Sequence, residues 1–346
     1  MSYKALMQPS YRAWRGLWAA AVLSVVAGCQ VPINPDLPAQ TRLVTEPETE
    51  GEYYLYVPSS YRPERPFPLV VTCHGTVPWD TAKFQVDEWS PLAEEEDFIV
   101  VAPKLKGTRG DFVPPLEKQI ALQQEDERSI LAALTHVKAA YNVAEDEVFI
   151  TGWSAGGYAV LFTGLRHPDV FRALALRQAN FDPLFVNPCE PFLDPHQPIY
   201  VLYGSLDVLV TDQAKEALAW MREHRLAVWE HEIYGSHRRH PRLAYDFFRK
   251  VVKDYPWLRI EAFEREGDPP LAVRFRVRGS PTPTAFAWSF GDDTPVVREP
   301  MPYHEYAEPG TYMVKLAVRA GRGRPVKRMI QVEVPRPTFG GRPTAP

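Results

Sequence analysis

The stretch that decides the fold runs from Val148 to Gly157 and reads VFITGWSAGG. A short run rich in β-branched residues leads into Gly-x-Ser-x-Gly, and the residues that follow it favour a helix. This order is typical of a nucleophile elbow, a tight strand-to-helix turn that exposes a serine Oγ at the edge of a sheet. Gly152 and Gly156 fit such a turn because it brings two backbones too close for side chains. An ordinary glycine turn has the same pattern, so the rest of the chain must supply further catalytic groups.

Short apolar runs alternate with helix-length segments through the first three quarters of the chain. Successive apolar residues, as in Leu69-Val70-Val71, are typical of strands buried on both faces of a parallel sheet. Ile130, Leu134 and Val137 share one face of a predicted helix. The alternation predicts a doubly wound α/β sheet. The predicted strands are Tyr53–Val57, Phe67–Cys73, Phe98–Ala102, Val148–Gly152, Ala173–Arg177, Ile199–Tyr203 and Ala227–Tyr234.

Beyond residue 257 the pattern changes to period-2 alternation, as in Leu271–Val277 and Tyr312–Val318. Such alternation is typical of antiparallel strands with one solvent-exposed face, and it predicts a small all-β sandwich. The motifs WSFGDD at Trp288–Asp293, YHEY at Tyr303–Tyr306 and GTY at Gly310–Tyr312 resemble those of a PKD (polycystic kidney disease) domain. The resemblance covers about residues 259 to 335. It implies an immunoglobulin-like sandwich that either binds a ligand or acts as a spacer.

The amino terminus has the composition of a targeting segment. Three cations precede the uncharged stretch Gly16–Gly28, which ends in Val-Ala-Gly before Cys29. Small residues before a cysteine resemble the lipobox of bacterial lipoproteins, in which the cysteine thiol is acylated. The resemblance implies a protein of the cell envelope, anchored to the membrane through lipid on Cys29 and facing the periplasm or the exterior. A plain secretory signal and an uncleaved anchor are the alternatives.

The sequence thus divides into five parts. We expect a signal peptide at 1–28, a proline-spaced tether at 29–42, the α/β domain at 43–257, the sandwich at 258–335 and a disordered tail at 336–346. The net charge of −4 comes with no dominant basic face, which argues against a nucleic-acid partner. No Cys/His cluster has metal-ligand spacing, so we expect neither a metal nor an organic cofactor. Cys73 and Cys189 are too few for a disulfide scaffold, although one bridge between them stays possible.

A serine nucleophile needs a base and a carboxylate that orients the base. Asp207 follows the strand Ile199–Tyr203, and Asp212 competes with it for this role. His237 follows the last predicted strand, and His240, three residues further on, is the alternative base. Loops at the carboxyl ends of parallel strands meet at one edge of a sheet, so these groups are expected to lie together. The chain order Ser, Asp, His is the one found in α/β-hydrolases.

Backbone N–H groups must also stabilise the oxyanion that forms on the substrate. The second predicted strand ends in Cys73-His74-Gly75-Thr76. We expect the N–H groups of Gly75 and Thr76, together with that of Ala155 after the nucleophile, to be the donors. We expect His74 to shape this loop through hydrogen bonds rather than to exchange protons.

Residues from about 42 to 253 resemble an α/β-hydrolase, in particular the secreted esterases grouped with polyhydroxyalkanoate depolymerases and feruloyl esterases. The resemblance rests on YLYVP at 54–58, HG at 74–75, YNV at 141–143, GWSAGG at 152–157 and HPDVF at 167–171. It implies a nucleophile at Ser154, an acid at Asp207 and a base at His237. The loops that read His-Gly-Thr and Gly-Ser-His-Arg-Arg depart from the forms that many relatives have.

These patterns together predict a lipid-anchored extracytoplasmic serine hydrolase that cleaves carboxylic esters through an acyl-enzyme. The expected substrate is an ester, with polysaccharide esters and polyesters among the polymeric candidates. A serine peptidase on the same fold is the first alternative, because the two reactions share this machinery. The second alternative is a non-catalytic surface protein that binds polysaccharide or protein through the sandwich.

Overall fold

A computed structural model describes residues 40–108, 116–320 and 325–334. The predicted signal peptide, Cys29 and the predicted tail lie outside these ranges. The first domain is built on eight strands: β1 (Thr41–Thr45), β2 (Glu52–Tyr56), β3 (Phe67–Cys73), β4 (Ile99–Pro103), β5 (Val143–Ser154), β6 (Ala173–Ala179), β7 (Ile199–Gly204) and β8 (Val228–Ile233). They form one sheet in the order β1-β2-β4-β3-β5-β6-β7-β8. The six strands from β3 onward run parallel, so their carboxyl ends share one edge.

Helices cover both faces of this sheet, as parallel strands require. They are α1 (Ala82–Glu96), α2 (Leu116–Ala140), α3 (Gly156–Arg166), α4 (Pro183–Val186), α5 (Thr211–Glu223) and α6 (Pro241–Asp254), with a 3₁₀ turn at Asn187–Phe192. α2, α3 and α5 bury their apolar residues against one face, and α1 and α6 against the other. The resulting core has two layers, for example Phe149 of β5 stacked on Phe248 of α6 at 4.5 Å. The doubly wound α/β architecture predicted from the sequence is confirmed.

Differences from the predicted elements have local causes. β1 begins at Thr41, so the last two residues of the predicted tether belong to the sheet. α2 begins at Leu116, inside a segment whose weak periodicity suggests a loop. Its core-facing side carries polar residues such as Asp126, whose carboxylate accepts the N–H groups of Lys106 and Gly107 at 2.7 and 2.8 Å. Polar residues at buried positions interrupt the apolar stripe by which an amphipathic helix is predicted from sequence.

The second domain is a sandwich of two three-stranded sheets. Its strands are β9 (Trp257–Phe263), β10 (Ala272–Ser280), β11 (Pro283–Ser289), β12 (Tyr303–Glu305), β13 (Gly310–Ala320) and β14 (Val326–Val334). The sheets have the orders β12-β10-β9 and β11-β13-β14 and enclose a core centred on Trp288, Phe275 and Phe290. The predicted all-β sandwich is confirmed.

Within the described ranges, no helix is long and apolar enough to cross a membrane. The two cysteines in these ranges, Cys73 and Cys189, are free and buried. Burial raises the pKa of both thiols, which keeps them protonated and unreactive.

Candidate active site

Ser154 stands at the turn between β5 and α3 with a backbone φ of 54°. This left-handed conformation is strained for a residue with a side chain, and such strain concentrates at functional sites. The turn also explains the flanking glycines. A Cβ on Gly152 would lie 2.6 Å from the Gly156 carbonyl oxygen, and one on Gly156 would lie 2.4 Å from that of Cys73. The predicted tight turn is therefore present, and glycine is the residue that fits at both positions.

Asp207 and His237 meet at the same edge of the sheet. Asp207 follows β7 and is 2% exposed, and its Oδ2 lies 2.6 Å from Nδ1 of His237. The carboxylate accepts a hydrogen bond from Nδ1–H of the imidazole. In this tautomer Nε2 carries no hydrogen and is able to accept a proton. This arrangement is the one that a general base requires.

The segment Tyr234–His240, called here the histidine loop, is held by backbone contacts to its neighbours. The Leu206 N–H donates to the Gly235 carbonyl at 3.0 Å, and the Arg238 N–H donates to Oε1 of Gln178 at 2.6 Å. The imidazole of His237 packs against the indole of Trp153, with ring centroids 4.6 Å apart. These contacts fix the loop beside the elbow.

Ser154 itself points to a residue that the motifs did not single out as part of the site. Its Oγ donates to Oδ1 of Asn180 at 3.4 Å, while the Asn180 N–H donates to the Ser154 carbonyl at 2.9 Å. Gln213 holds the Asn180 amide at 3.0 Å. Catalytic hydrogen bonds are often long or misaligned without substrate, and a χ1 rotation is what moves a serine Oγ between partners. The position of Asn180 directly after β6 is the sequence signal that indicates this residue.

Asp212 and His240, the alternatives for the acid and the base, make no hydrogen bond to the Asp207–His237 pair, and neither does His231 of the last strand of this sheet. Asp212 is exposed in the first turn of α5. His231 lies within β8 and bonds to the Tyr200 hydroxyl. His240 begins α6 and lines the cavity beside the site. Burial, followed by the neighbouring cation of Arg238, lowers the pKa of His240 and disfavours its imidazolium form. The structure thus brings Asp207 to His237, and to neither other histidine.

The segment His74–Asp80, called here the oxyanion loop, differs from expectation at one donor. The Gly75 N–H donates to Oδ2 of Asp80 at 2.7 Å, so it is not available to a substrate oxyanion. Within the described part of the chain, the N–H groups of Thr76 and Ala155 donate to no protein acceptor. These two N–H groups are therefore the remaining candidates for oxyanion donors. A Cβ on Gly75 would lie 3.1 Å from the Ser154 Cβ, which shows how close this loop is to the elbow.

His74 orients the oxyanion loop as expected. Its Nε2 accepts the Leu105 N–H at 3.0 Å, so the proton sits on Nδ1, which donates to the Gly75 carbonyl at 2.8 Å. Burial lowers the pKa of His74 and keeps the ring neutral. In a trans peptide the C=O and the following N–H point in opposite directions. Fixing the Gly75 carbonyl therefore fixes the direction of the Thr76 N–H.

A cavity of about 690 Å³ opens beside His237 and Trp153. Its walls are Glu88 of α1 and the run 237–243 at the start of α6. Burial raises the pKa of Glu88, although the adjacent Arg177 offsets part of that effect. In the described ranges, no three His, Cys, Asp or Glu side chains are grouped to hold a metal ion.

Comparison with known proteins agrees with these two domains. Residues 84–188 match the profile of the Prolyl oligopeptidase family, and residues 259–334 match that of the PKD domain. A poly(3-hydroxyalkanoate) depolymerase C from Paucimonas lemoignei is 29% identical over 114 residues, which are 31% of this chain and 27% of the relative. The match thus spans about a quarter of that protein.

Similar solved structures include esterases and peptidases. An S-formylglutathione hydrolase from Staphylococcus aureus is 14% identical with a TM-score of 0.46, covering 64% of this chain and 98% of that one. A ferulic acid esterase from Anaeromyces mucronatus is 15% identical with a TM-score of 0.47, covering 58% and 84%. Dipeptidyl peptidase 4 from Porphyromonas gingivalis is 17% identical with a TM-score of 0.46, covering 62% and 35%. The topology and the profile matches confirm an α/β-hydrolase fold followed by a PKD domain and support a serine hydrolase.

Proposed function

We propose that this protein is a serine hydrolase that cleaves carboxylic esters through an acyl-enzyme, with Ser154 as nucleophile, His237 as general base and Asp207 as its orienting acid. One observation carries the proposal. A buried carboxylate lies 2.6 Å from the imidazole of His237 at the same sheet edge as a serine in a strained elbow. A strained serine beside a buried Asp–His pair is the arrangement expected of a nucleophile that a neighbouring base activates.

The reaction follows from these positions. Ser154 Oγ rotates from Asn180 towards Nε2 of His237, gives up its proton and attacks the ester carbonyl carbon. The carbonyl oxygen becomes an oxyanion, which the N–H groups of Thr76 and Ala155 stabilise. The imidazolium, held by Asp207, returns the proton to the leaving alcohol. Water, deprotonated by the same imidazole, then attacks the acyl carbon, the bond to Ser154 Oγ breaks, and the imidazolium returns its proton to Oγ, which releases the carboxylic acid and restores Ser154.

An apolar substrate is supported by the surface around the site. Exposed hydrophobic side chains occur in the connections that follow β3, β6, β7 and β8, at the same edge that bears Ser154. Exposed apolar side chains at such an edge fit the contact surface of an apolar ligand. We propose an ester with an apolar acyl or alcohol part as substrate. The similarity to a poly(3-hydroxyalkanoate) depolymerase makes polymeric esters candidates as well. The exposed residues are Trp79, Leu184, Leu206, Val208, Leu209 and Tyr234.

A serine peptidase is the second candidate, and the match of residues 84–188 to the Prolyl oligopeptidase family favours it. The same acyl transfer with an amine leaving group gives peptide hydrolysis. A panel of p-nitrophenyl esters of graded chain length, run beside a fluorogenic peptide panel, separates the two. We expect kcat/KM for the better esters to exceed that for every peptide, and the reverse order would replace the proposal by the second candidate.

Covalent labelling tests the nucleophile. A fluorophosphonate should modify one serine, and peptide mass spectrometry should locate the label on Ser154. Replacing His237 should slow labelling, whereas replacing His240 should leave its rate within about threefold, because an oriented base typically contributes on the order of 10²–10⁴. A label elsewhere, or equal loss in both variants, would contradict the assignment. Failure to label and to hydrolyse any ester or peptide would favour a binding protein.

We also propose that the protein is anchored at a bacterial cell envelope through lipid on Cys29, which the sequence VAGC at 26–29 supports. Metabolic labelling with a fatty acid followed by membrane fractionation tests this. We expect the wild type to carry label and to sediment with membranes, and Cys29→Ser to lose the label. Label retained in the variant would contradict the anchor.

A further inference from the structure

An ion pair between Asp80 and Arg239 joins the oxyanion loop to the histidine loop. Asp80, at the end of the oxyanion loop, is fully buried. Its Oδ2 accepts the Gly75 N–H at 2.7 Å and the Gln85 side-chain amide at 2.7 Å. Its Oδ1 accepts Nη2 of Arg239 from the histidine loop at 3.0 Å. One carboxylate therefore binds both loops at once.

Arg239 extends the connection to the base. Its guanidinium lies 4.4 Å from the ring centroid of Trp153, and the same indole contacts His237, with ring centroids 4.6 Å apart. A cation over an aromatic face is attracted to it, and a planar guanidinium also stacks well. Asp80, Arg239, Trp153 and His237 thus form a continuous series of contacts from the oxyanion loop to the imidazole.

The fully buried guanidinium of Arg177 supports this series of contacts. Arg177 of β6 is fully buried and donates to Gln85 at 2.6 Å, to Glu88 at 3.2 Å and to the Arg239 carbonyl at 3.2 Å. Gln85 contacts Asp80 as well. Both ends of the Asp80–Arg239 pair are therefore fixed by the same neighbours, which limits how far either loop can shift while the pair is intact.

We propose that Asp80 is a positioning residue for the reaction, acting through Gly75 and Arg239. This inference rests on the proposed function. Asp80 is fully buried and cannot touch a substrate. It fixes the nitrogen of Gly75, while His74 fixes the carbonyl, so the Thr76 donor that follows has one direction. Through Arg239 the same carboxylate holds Trp153 against His237. Oxyanion donor and base are thereby kept at one spacing, which matters most in the transition state.

The test compares Asp80→Asn and Arg239→Gln with a matched control, Asp146→Asn. Asp146 precedes the parallel part of β5 at the opposite edge of the sheet, where its carboxylate lies 3.6 Å from Arg172. Each site variant should lower kcat by about 10–100-fold, because misplacing a catalytic group by about 1 Å costs up to ~10²-fold. KM should stay within about twofold, because the lost interaction acts in the transition state alone.

A double variant adds a readout that a merely structural role would not give. If Asp80 and Arg239 act as one unit, Asp80→Asn/Arg239→Gln should be no slower than the slower single variant, within about threefold. Arg239 is partly exposed, so Arg239→Gln decides the question if Asp80→Asn does not fold. A kcat within twofold of Asp146→Asn, an effect on KM alone, or multiplied losses in the double variant would each overturn the inference. Failure of the proposed function is distinguishable, because there Ser154→Ala would keep wild-type activity.

Discussion

At the scale of single residues, the shape of the elbow depends on two positions that have no room for a side chain. Ser154 has a φ of 54°, and the glycines on either side face carbonyl oxygens at distances that exclude a Cβ. The conformation of Ser154 is therefore set by steric exclusion at its neighbours together with its hydrogen bonds to Asn180. Changes at these glycines should act on the position of Ser154 without altering its chemistry.

Gly156→Ala tests this exclusion. The new methyl would meet the Cys73 carbonyl at 2.4 Å and the His74 carbonyl at 2.8 Å, and both belong to backbone that has no room to move. We expect a loss of about 3 kcal/mol in the free energy of unfolding, typical of overpacking with backbone shifts. Chemical denaturation measures it. Gly235→Ala is the control, because a Cβ there has nothing within 4 Å. Equal stability of the two variants would refute the steric account.

His74 should make stability depend on pH. Burial depresses its pKa, so as pH falls the unfolded chain takes up a proton before the native state does. The stabilisation by His74 is therefore present above about pH 6.5 and is lost as pH falls through the lower native pKa. We expect the wild type to exceed His74→Gln in unfolding free energy by more at about pH 7.5 than at about pH 5. A difference that grows towards acid pH would contradict this.

At the scale of elements, hydrophobic periodicity predicts the bounds of a strand or helix wherever its residues are uniformly buried. β3 has the predicted bounds, Phe67–Cys73, because its side chains pack alternately into the apolar layers on the two faces of the sheet. β1 and the start of α2 were not foreseen, since an edge strand and a helix with buried polar residues lack that pattern. The Asp207–His237 pair could be expected from strand ends alone. The Gly75–Asp80 bond and the Arg239–Trp153 stack could not, because they depend on side-chain directions between segments far apart in sequence.

The Trp288–Asp293 turn of the sandwich is an element held by a polar contact. Asp292 lies 2.6 Å from Nε2 of His304, whose ring stacks on Phe290 at 4.0 Å. Burial raises the pKa of Asp292, but hydrogen bonds from Thr294 and His304 outweigh it and leave the pKa below its usual value.

Asp292→Asn should therefore destabilise the sandwich by about 1.5–3 kcal/mol, the range for a hydrogen bond to a charged group. Hydrogen exchange of residues 303–316 in the full chain provides the measurement. Asp293→Asn is the matched control, because Asp293 is exposed and its φ of 61° is one that asparagine tolerates. Faster exchange in the control than in Asp292→Asn would show that the turn is held in another way.

At the scale of the whole molecule, the sandwich contacts the first domain away from the candidate active site. The sandwich contacts the first domain near the amino ends of the parallel strands. There Arg259 of β9 lies 3.4 Å from Asp194, shortly before β7 begins. Ser154, Asp207 and His237 lie at the carboxyl ends, on the opposite edge. This contact of the sandwich and the candidate active site therefore lie at opposite edges of the sheet.

Arg259→Gln tests that separation. Burial lowers the pKa of Arg259 to about 10, so its cation is costly at the contact and only partly offset by Asp194. The change removes one partner of a largely buried ion pair, so it should lower the free energy of unfolding of the full chain, by at most about 3–5 kcal/mol. It should leave kcat/KM on a small soluble ester within about twofold of the wild type, because the site is at the other edge. A tenfold loss of kcat/KM would show that the two ends of the sheet are coupled.

The central claim is that Ser154 attacks an ester carbonyl. The most direct measurement is kcat for p-nitrophenyl esters with residues 30–346 of the wild type and of Ser154→Ala, both checked for equal unfolding. Removing the nucleophile of such a triad typically costs ~10⁶-fold in kcat, so no turnover above background is expected from the variant. Equal activity of the two proteins would contradict the account.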